Sequence, residues 1–239
     1  MRGVYTSICI LLCAVLPLPA AYGDNAGPEA EGLSTEYILN FLLSEEDEDI
    51  DAEIRRLSEE LEKSPSGSSE EAHVRYSLGV LHIYRCIRSK EQKEEDAYRA
   101  LELLEEIEKE FGHSKLFKVH LGMAYSFIAE IRRTFGLSQL KKMHSIMTSI
   151  PEDHPDWLTR FLRGTTLFEV GTELPGIFLV RKIKKDSLNL GRTDLEYIEQ
   201  RYRASPGGGY NPETYNFEEK PVPTEIAEQA RTMLQKTDE

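Results

Sequence analysis

Val119-His120-Leu121-Gly122-Met123-Ala124-Tyr125 is the stretch on which the reading of the fold turns. A glycine inside an apolar helix costs about 1 kcal/mol against alanine, so it needs a packing reason. Two counterparts lie elsewhere in the chain, Tyr76-Ser77-Leu78-Gly79 and Phe161-Leu162-Arg163-Gly164. Their glycines are 43 and 42 residues apart, a fixed period of the kind that marks a helical-hairpin array. Each segment opens a helix that a second amphipathic helix follows. The glycine lets that second helix approach closely, and the leucine beside it fills the seam.

Working outward, apolar residues recur at helical spacing almost everywhere. Ile50, Ile54, Leu57 and Leu61 predict a helix over 49–63. The connector 64–69 follows, and Ser68 with Glu71 forms a capping box. Further helices are expected over 72–87, 94–111 with Gly112 as the closing residue, 114–133, 137–150 and 155–170. Thr193 with Glu196 reads as a second capping box, and 224–235 as the last helix. No stretch alternates like a strand. The fold class expected is all-α, a right-handed α–α hairpin array, with an N-terminal helical pair and linker over 34–69, repeats over 70–205, and a strap and final helix over 206–239.

The beginning of the chain reads differently. Residues 4–16 are nearly all apolar, Pro17 and Pro19 interrupt them, and Ala21-Tyr22-Gly23 supplies the small residues a signal peptidase requires. The expectation is a signal peptide over 1–23, cleaved after Gly23, and a disordered lead-in over 24–33. An uncleaved anchor is the alternative; the run is shorter than the roughly 20 apolar residues of a spanning helix. Residues 1–23 contain one arginine and no carboxylate, so the remainder carries 28 basic and 42 acidic residues, a net charge of −14. Such a surface repels nucleic acid and anionic membrane, and neither is expected as a partner. Cys86 is the one cysteine beyond the leader, which leaves no intrachain disulfide framework.

Leu78-Gly79, Leu121-Gly122 and Tyr125 resemble the first-helix motif of the tetratricopeptide family, and Pro151 with Asp153-His154-Pro155-Asp156-Trp157 resembles its inter-repeat turn. The resemblance covers residues 70–170 and implies a solenoid that binds a peptide or helix. The period is longer than that family's 34 residues, and Arg163 stands where it has leucine. Leu121-Gly122-Met123-Ala124-Tyr125, Arg160 to Gly164, and Leu174-Pro175 ahead of a basic turn are also similar to bacterial helical-repeat proteins without assigned function. That likeness implies an exported, periplasmic or secreted protein and supplies no activity.

Candidate chemistry is sparse. His82 and Cys86 stand one turn apart, where a histidine can activate a thiol, but nothing else completes a nucleophilic site. The six histidines are scattered without metal-ligand spacing, and the acidic run 44–49 lacks the turn glycine of a calcium loop. No catalytic residue, metal ligand or cofactor is therefore assigned. Arg181, Lys182, Lys184, Lys185 and Arg192 form either a patch for anions or acidic peptides or a set of intramolecular ion pairs. Arg163 interrupts an apolar seam and must find a carboxylate, from this chain or from a ligand.

The resulting expectation is an exported interaction module that binds a protein or peptide partner in the cell envelope, with Tyr84, Tyr125, Arg160 and Arg163 on its binding face. A ligand-binding accessory of a transport or envelope system is the second reading. A Cys86-dependent enzyme is the third.

Overall fold

The computed structural model describes residues 47–88, 93–132, 136–154, 156–176, 178–205 and 222–236. The leader, the lead-in, the first helix of the expected N-terminal pair, Pro155 and most of the strap lie outside the described residues. Every regular element among the described residues is a helix: α1 (Asp47–Lys63), α2 (Ser69–Arg88), α3 (Lys93–Glu106), α4 (Glu108–Phe111), α5 (Lys115–Ile131), α6 (Leu137–Thr148), α7 (Trp157–Glu173), α8 (Arg181–Ala204) and α9 (Thr224–Gln235). None of them is long and apolar enough to cross a membrane. The chain divides into two compact units between Phe117 and Lys118, within α5.

In the first unit α1 packs on α2, and α2 on α3. Ile50, Ile54 and Leu57 form the buried stripe of α1. The entry to α2 is capped as its sequence suggests, with Ser68 Oγ accepting from the Glu71 N–H at 3.0 Å. The reciprocal bond lands one residue early, because Glu71 Oε2 accepts from the Gly67 N–H at 2.5 Å. Gly67 adopts φ of +74°, a left-handed conformation that side chains disfavour, and this turns its N–H toward the carboxylate. Where α2 crosses α3, a Cβ on Gly79 would lie 2.9 Å from Leu104. The single helix expected over 94–111 is interrupted at Ile107. Gly112 stays right-handed at φ −62°, so it does not end the segment with the left-handed turn common after helices. The aromatic rings of Tyr76, Phe111 and Phe117 fill the end of this unit, with centroids 5.3 to 5.9 Å apart.

In the second unit α7 and α8 share the most extensive interface of any helix pair described, and α9 covers α8. Small residues make that closeness possible. A Cβ on Gly164 would meet the Asp194 Cβ at 2.9 Å, and one on Gly191 would meet the Phe168 backbone nitrogen at 2.6 Å. Gly122 faces α6 in the same way, with Met147 Cε 2.6 Å from the position of its missing Cβ. Each of the three periodic glycines therefore faces the helix that follows its own.

The start of α8 corrects the sequence reading. Thr193 and Glu196 do not begin a helix; they lie inside α8, and the Thr193 hydroxyl donates to the Asn189 carbonyl at 3.0 Å. Ile183, Ser187, Leu190, Asp194 and Ile198 form one continuous buried face. Two of those five residues are polar, so the pattern reads as interrupted. The start of α7 is set by Asp156, whose carboxylate accepts from the Leu158 and Thr159 N–H groups at 3.1 and 3.0 Å.

Candidate functional site

Among the described residues each unit has one buried aspartate. In the second unit that residue is Asp194, fully buried on α8. Arg163 of α7, also fully buried, grips it with a two-pronged fork: Nε donates to Oδ2 at 2.6 Å and Nη2 to Oδ1 at 2.8 Å. The remaining guanidinium nitrogen, Nη1, donates to the carbonyls of Ile150 at 2.7 Å and Pro151 at 3.1 Å, just beyond the end of α6. These carbonyls lie in the turn that follows α6, so the guanidinium fastens that turn to α7 and α8. Arg160 donates from Nε to Asp194 Oδ1 at 2.9 Å, and its guanidinium lies 3.7 Å from the centre of the Tyr197 ring. One carboxylate, two guanidinium groups and two carbonyls thus tie together α6, α7 and α8.

In the first unit the buried aspartate is Asp96 of α3. His82 Nδ1 lies 2.8 Å from Asp96 Oδ1. Arg85 donates to both carboxylate oxygens, at 2.9 and 2.5 Å, and through Nη1 to Asp51 of α1 at 2.6 Å. Burial alone raises the Asp96 carboxyl, but hydrogen bonds from His82 and Arg85 outweigh it and hold the group below the usual carboxylate range. The cluster opens onto a cleft of about 710 Å³, also lined by Ile54, Ser58, Tyr98, Arg99 and Glu102. A second cleft of about 700 Å³ in this unit is lined by His73, Arg75, Glu106, Phe111 and His113. Arg75 bridges Glu71 and Glu106 there.

The four residues expected on a binding face are all buried: Tyr84 is 1% exposed, Tyr125 4%, Arg160 6% and Arg163 0%. Tyr84 belongs to the first unit, where burial pushes its phenol well above the ordinary value. The other three belong to the second unit. There the Tyr125 hydroxyl accepts from Lys142 Nζ at 3.0 Å. The carboxylate that Arg163 requires is internal, on α8. The signal for both aspartates was present in the sequence. Asp96 precedes Ala100, Leu103 and Leu104 at helical offsets of 4, 7 and 8, and Asp194 precedes Ile198 at 4, so each sits in phase with an apolar stripe.

His82 turns to Asp96, while the buried Cys86 thiol donates to the Lys93 carbonyl at 3.5 Å. Among the described residues no three His, Cys, Asp or Glu side chains converge to hold a metal ion. The basic stretch divides: Lys182 pairs with Asp186 at 2.7 Å and Lys184 Nζ donates to the Leu174 carbonyl at 2.5 Å, whereas Arg181 and Lys185 make no ion pair among the described residues. No protein-family model, curated protein or solved structure was found to match the chain.

Proposed function

We propose that this chain is an exported helical scaffold that binds a protein or peptide partner in the cell envelope, and that it acts by binding and not by catalysis. In this reading its hairpins belong to a right-handed array of tetratricopeptide type. Three glycines at near-constant spacing, each turned to the following helix, support that architecture. Export rests on the pattern of residues 1–23.

The single observation that carries the binding role is the 710 Å³ cleft on α1, α2 and α3. Its floor is pre-organised, because Asp96 fixes both His82 and Arg85. Arg99 and Glu102 stand exposed at its rim as a mutual pair 2.6 Å apart, able to exchange partners with an incoming chain. The buried tyrosines and arginines then serve as the frame that holds the helices in place.

The same cleft gives the second reading its support. Convergent polar groups on a rigid floor also suit a small ligand, as in an accessory component of a transport system. Affinity recovery from the native envelope fraction, comparing the parent with Arg99→Glu, separates the two. A polypeptide recovered in fixed ratio by the parent and lost with Arg99→Glu supports the scaffold. A bound small molecule without any polypeptide supports the accessory.

A further inference from the structure

Two large apolar side chains stand exposed among the described residues, Phe178 at 92% and Leu179 at 69%. They are neighbours in the turn that joins α7 to α8. Arg181, Lys182, Lys184 and Lys185 follow at once, and residues 174–185 contain no carboxylate, in a chain whose net charge is −13. These cations occupy the first turns of α8, the positive end of the helix, where acidic residues are favoured and basic ones disfavoured. Arg181 and Lys185 are exposed and without an ion pair among the described residues. Within the fold Lys182 pairs with Asp186 and Lys184 donates to the Leu174 carbonyl, which leaves the exposed ring and the charges of Arg181 and Lys185 without a folding role.

We propose that this turn docks on an anionic lipid surface. Phe178 and Leu179 enter the boundary between headgroups and acyl chains, and Arg181 and Lys185 face the lipid phosphates. Size decides between a bilayer and a protein partner. An aromatic side chain buries about 150–250 Å², so this two-residue tip offers well under the roughly 1,000 Å² that a specific protein interface needs. A fluid anionic surface has no such threshold, because each cation near it strengthens binding roughly fivefold on its own. The acidic body does not oppose this, since its repulsion is screened beyond about 8 Å at physiological salt. The inference stands apart from the partner-binding cleft, which belongs to the other unit.

Vesicle sedimentation of the natively processed protein tests it, using neutral phosphatidylcholine and phosphatidylcholine mixed with phosphatidylglycerol. The protein should pellet with the anionic vesicles alone, and less as salt is added. The pairs Phe178→Asp with Leu179→Asp and Arg181→Glu with Lys185→Glu should each lower the bound fraction at least tenfold. Both should fold normally, and the charge reversal should melt no earlier than the parent, because carboxylates suit the start of α8. Absence of anionic-vesicle binding overturns the proposal. So does equal binding by parent and variants, which would place the contact elsewhere. A polypeptide partner lost with these variants, in the absence of vesicle binding, would make the tip a protein contact and overturn it as well.

Discussion

Replacing Arg163 with alanine removes the central member of the buried cluster in the second unit. Three losses follow. Both oxygens of Asp194 lose a charge-assisted hydrogen bond, at 2.6 and 2.8 Å. The carbonyls of Ile150 and Pro151 lose their Nη1 donor. A fully buried side chain leaves a void. Breaking a buried ion pair by removing one partner costs about 3–5 kcal/mol. Asp194 keeps Arg160 at 2.9 Å, so its charge is not wholly stranded, and the lower end of that range applies. Asp194→Ala should cost more, near the upper end, because it leaves two guanidinium groups without an anion. For a chain of this length 1 kcal/mol moves Tm by roughly 2–4 °C, so Arg163→Ala should melt roughly 10 °C early. Arg163→Lys should recover little, since an ammonium cannot span both carboxylate oxygens and two carbonyls. Thermal unfolding followed by circular dichroism measures all three. If Arg163→Ala melts within about 2 °C of the parent, or Asp194→Ala is the milder change, the cluster does not hold the helices together and the reasoning fails.

Other outcomes follow from the same geometry. Gly191→Ala should destabilise more than Gly122→Ala, because the new methyl group meets the Phe168 backbone at 2.6 Å in one case and the mobile end of Met147 in the other; paired melting curves decide it. Asp96→Asn should cost about 2–4 kcal/mol by weakening the link from α3 to Arg85 and His82, and denaturant titration reads the loss. Burial pulls the His120 imidazole down to about 3, against an ordinary value of about 6.5. The unfolded chain therefore binds the extra proton first, so this contribution is complete above pH 6.5 and is lost as pH falls toward 3. The loss at pH 5 is about 2 kcal/mol, and His120→Gln should flatten the melting profile between about pH 6.5 and 4. The depressed Asp96 carboxyl acts in the same direction at lower pH, below about 4, the ordinary aspartate value.

The apolar stripes were legible because helical spacing is a local property: Ile50, Ile54 and Leu57 mark α1 without reference to anything else. The beginning of α8 was not, because its buried face includes Ser187, Gly191 and Asp194, residues that locally favour turns. Arg163 could be recognised as a residue in need of a carboxylate. Its partner lies 31 residues away, and only the packing of α7 on α8 selects Asp194 from the many acidic residues available. Tyr84 and Tyr125 were placed on a binding face for their residue type, yet both are buried. His82 stands one turn from Cys86 in the sequence, yet its partner at 2.8 Å is Asp96, supplied by the helix that follows.

The proposed holding of a polypeptide partner is open to light scattering during size-exclusion chromatography of the protein drawn natively from the envelope fraction. The expected result is a single peak heavier than the chain alone, containing one further polypeptide in fixed ratio and depleted in the Arg99→Glu variant. A peak with the mass of the isolated chain, unchanged by that substitution, contradicts the claim.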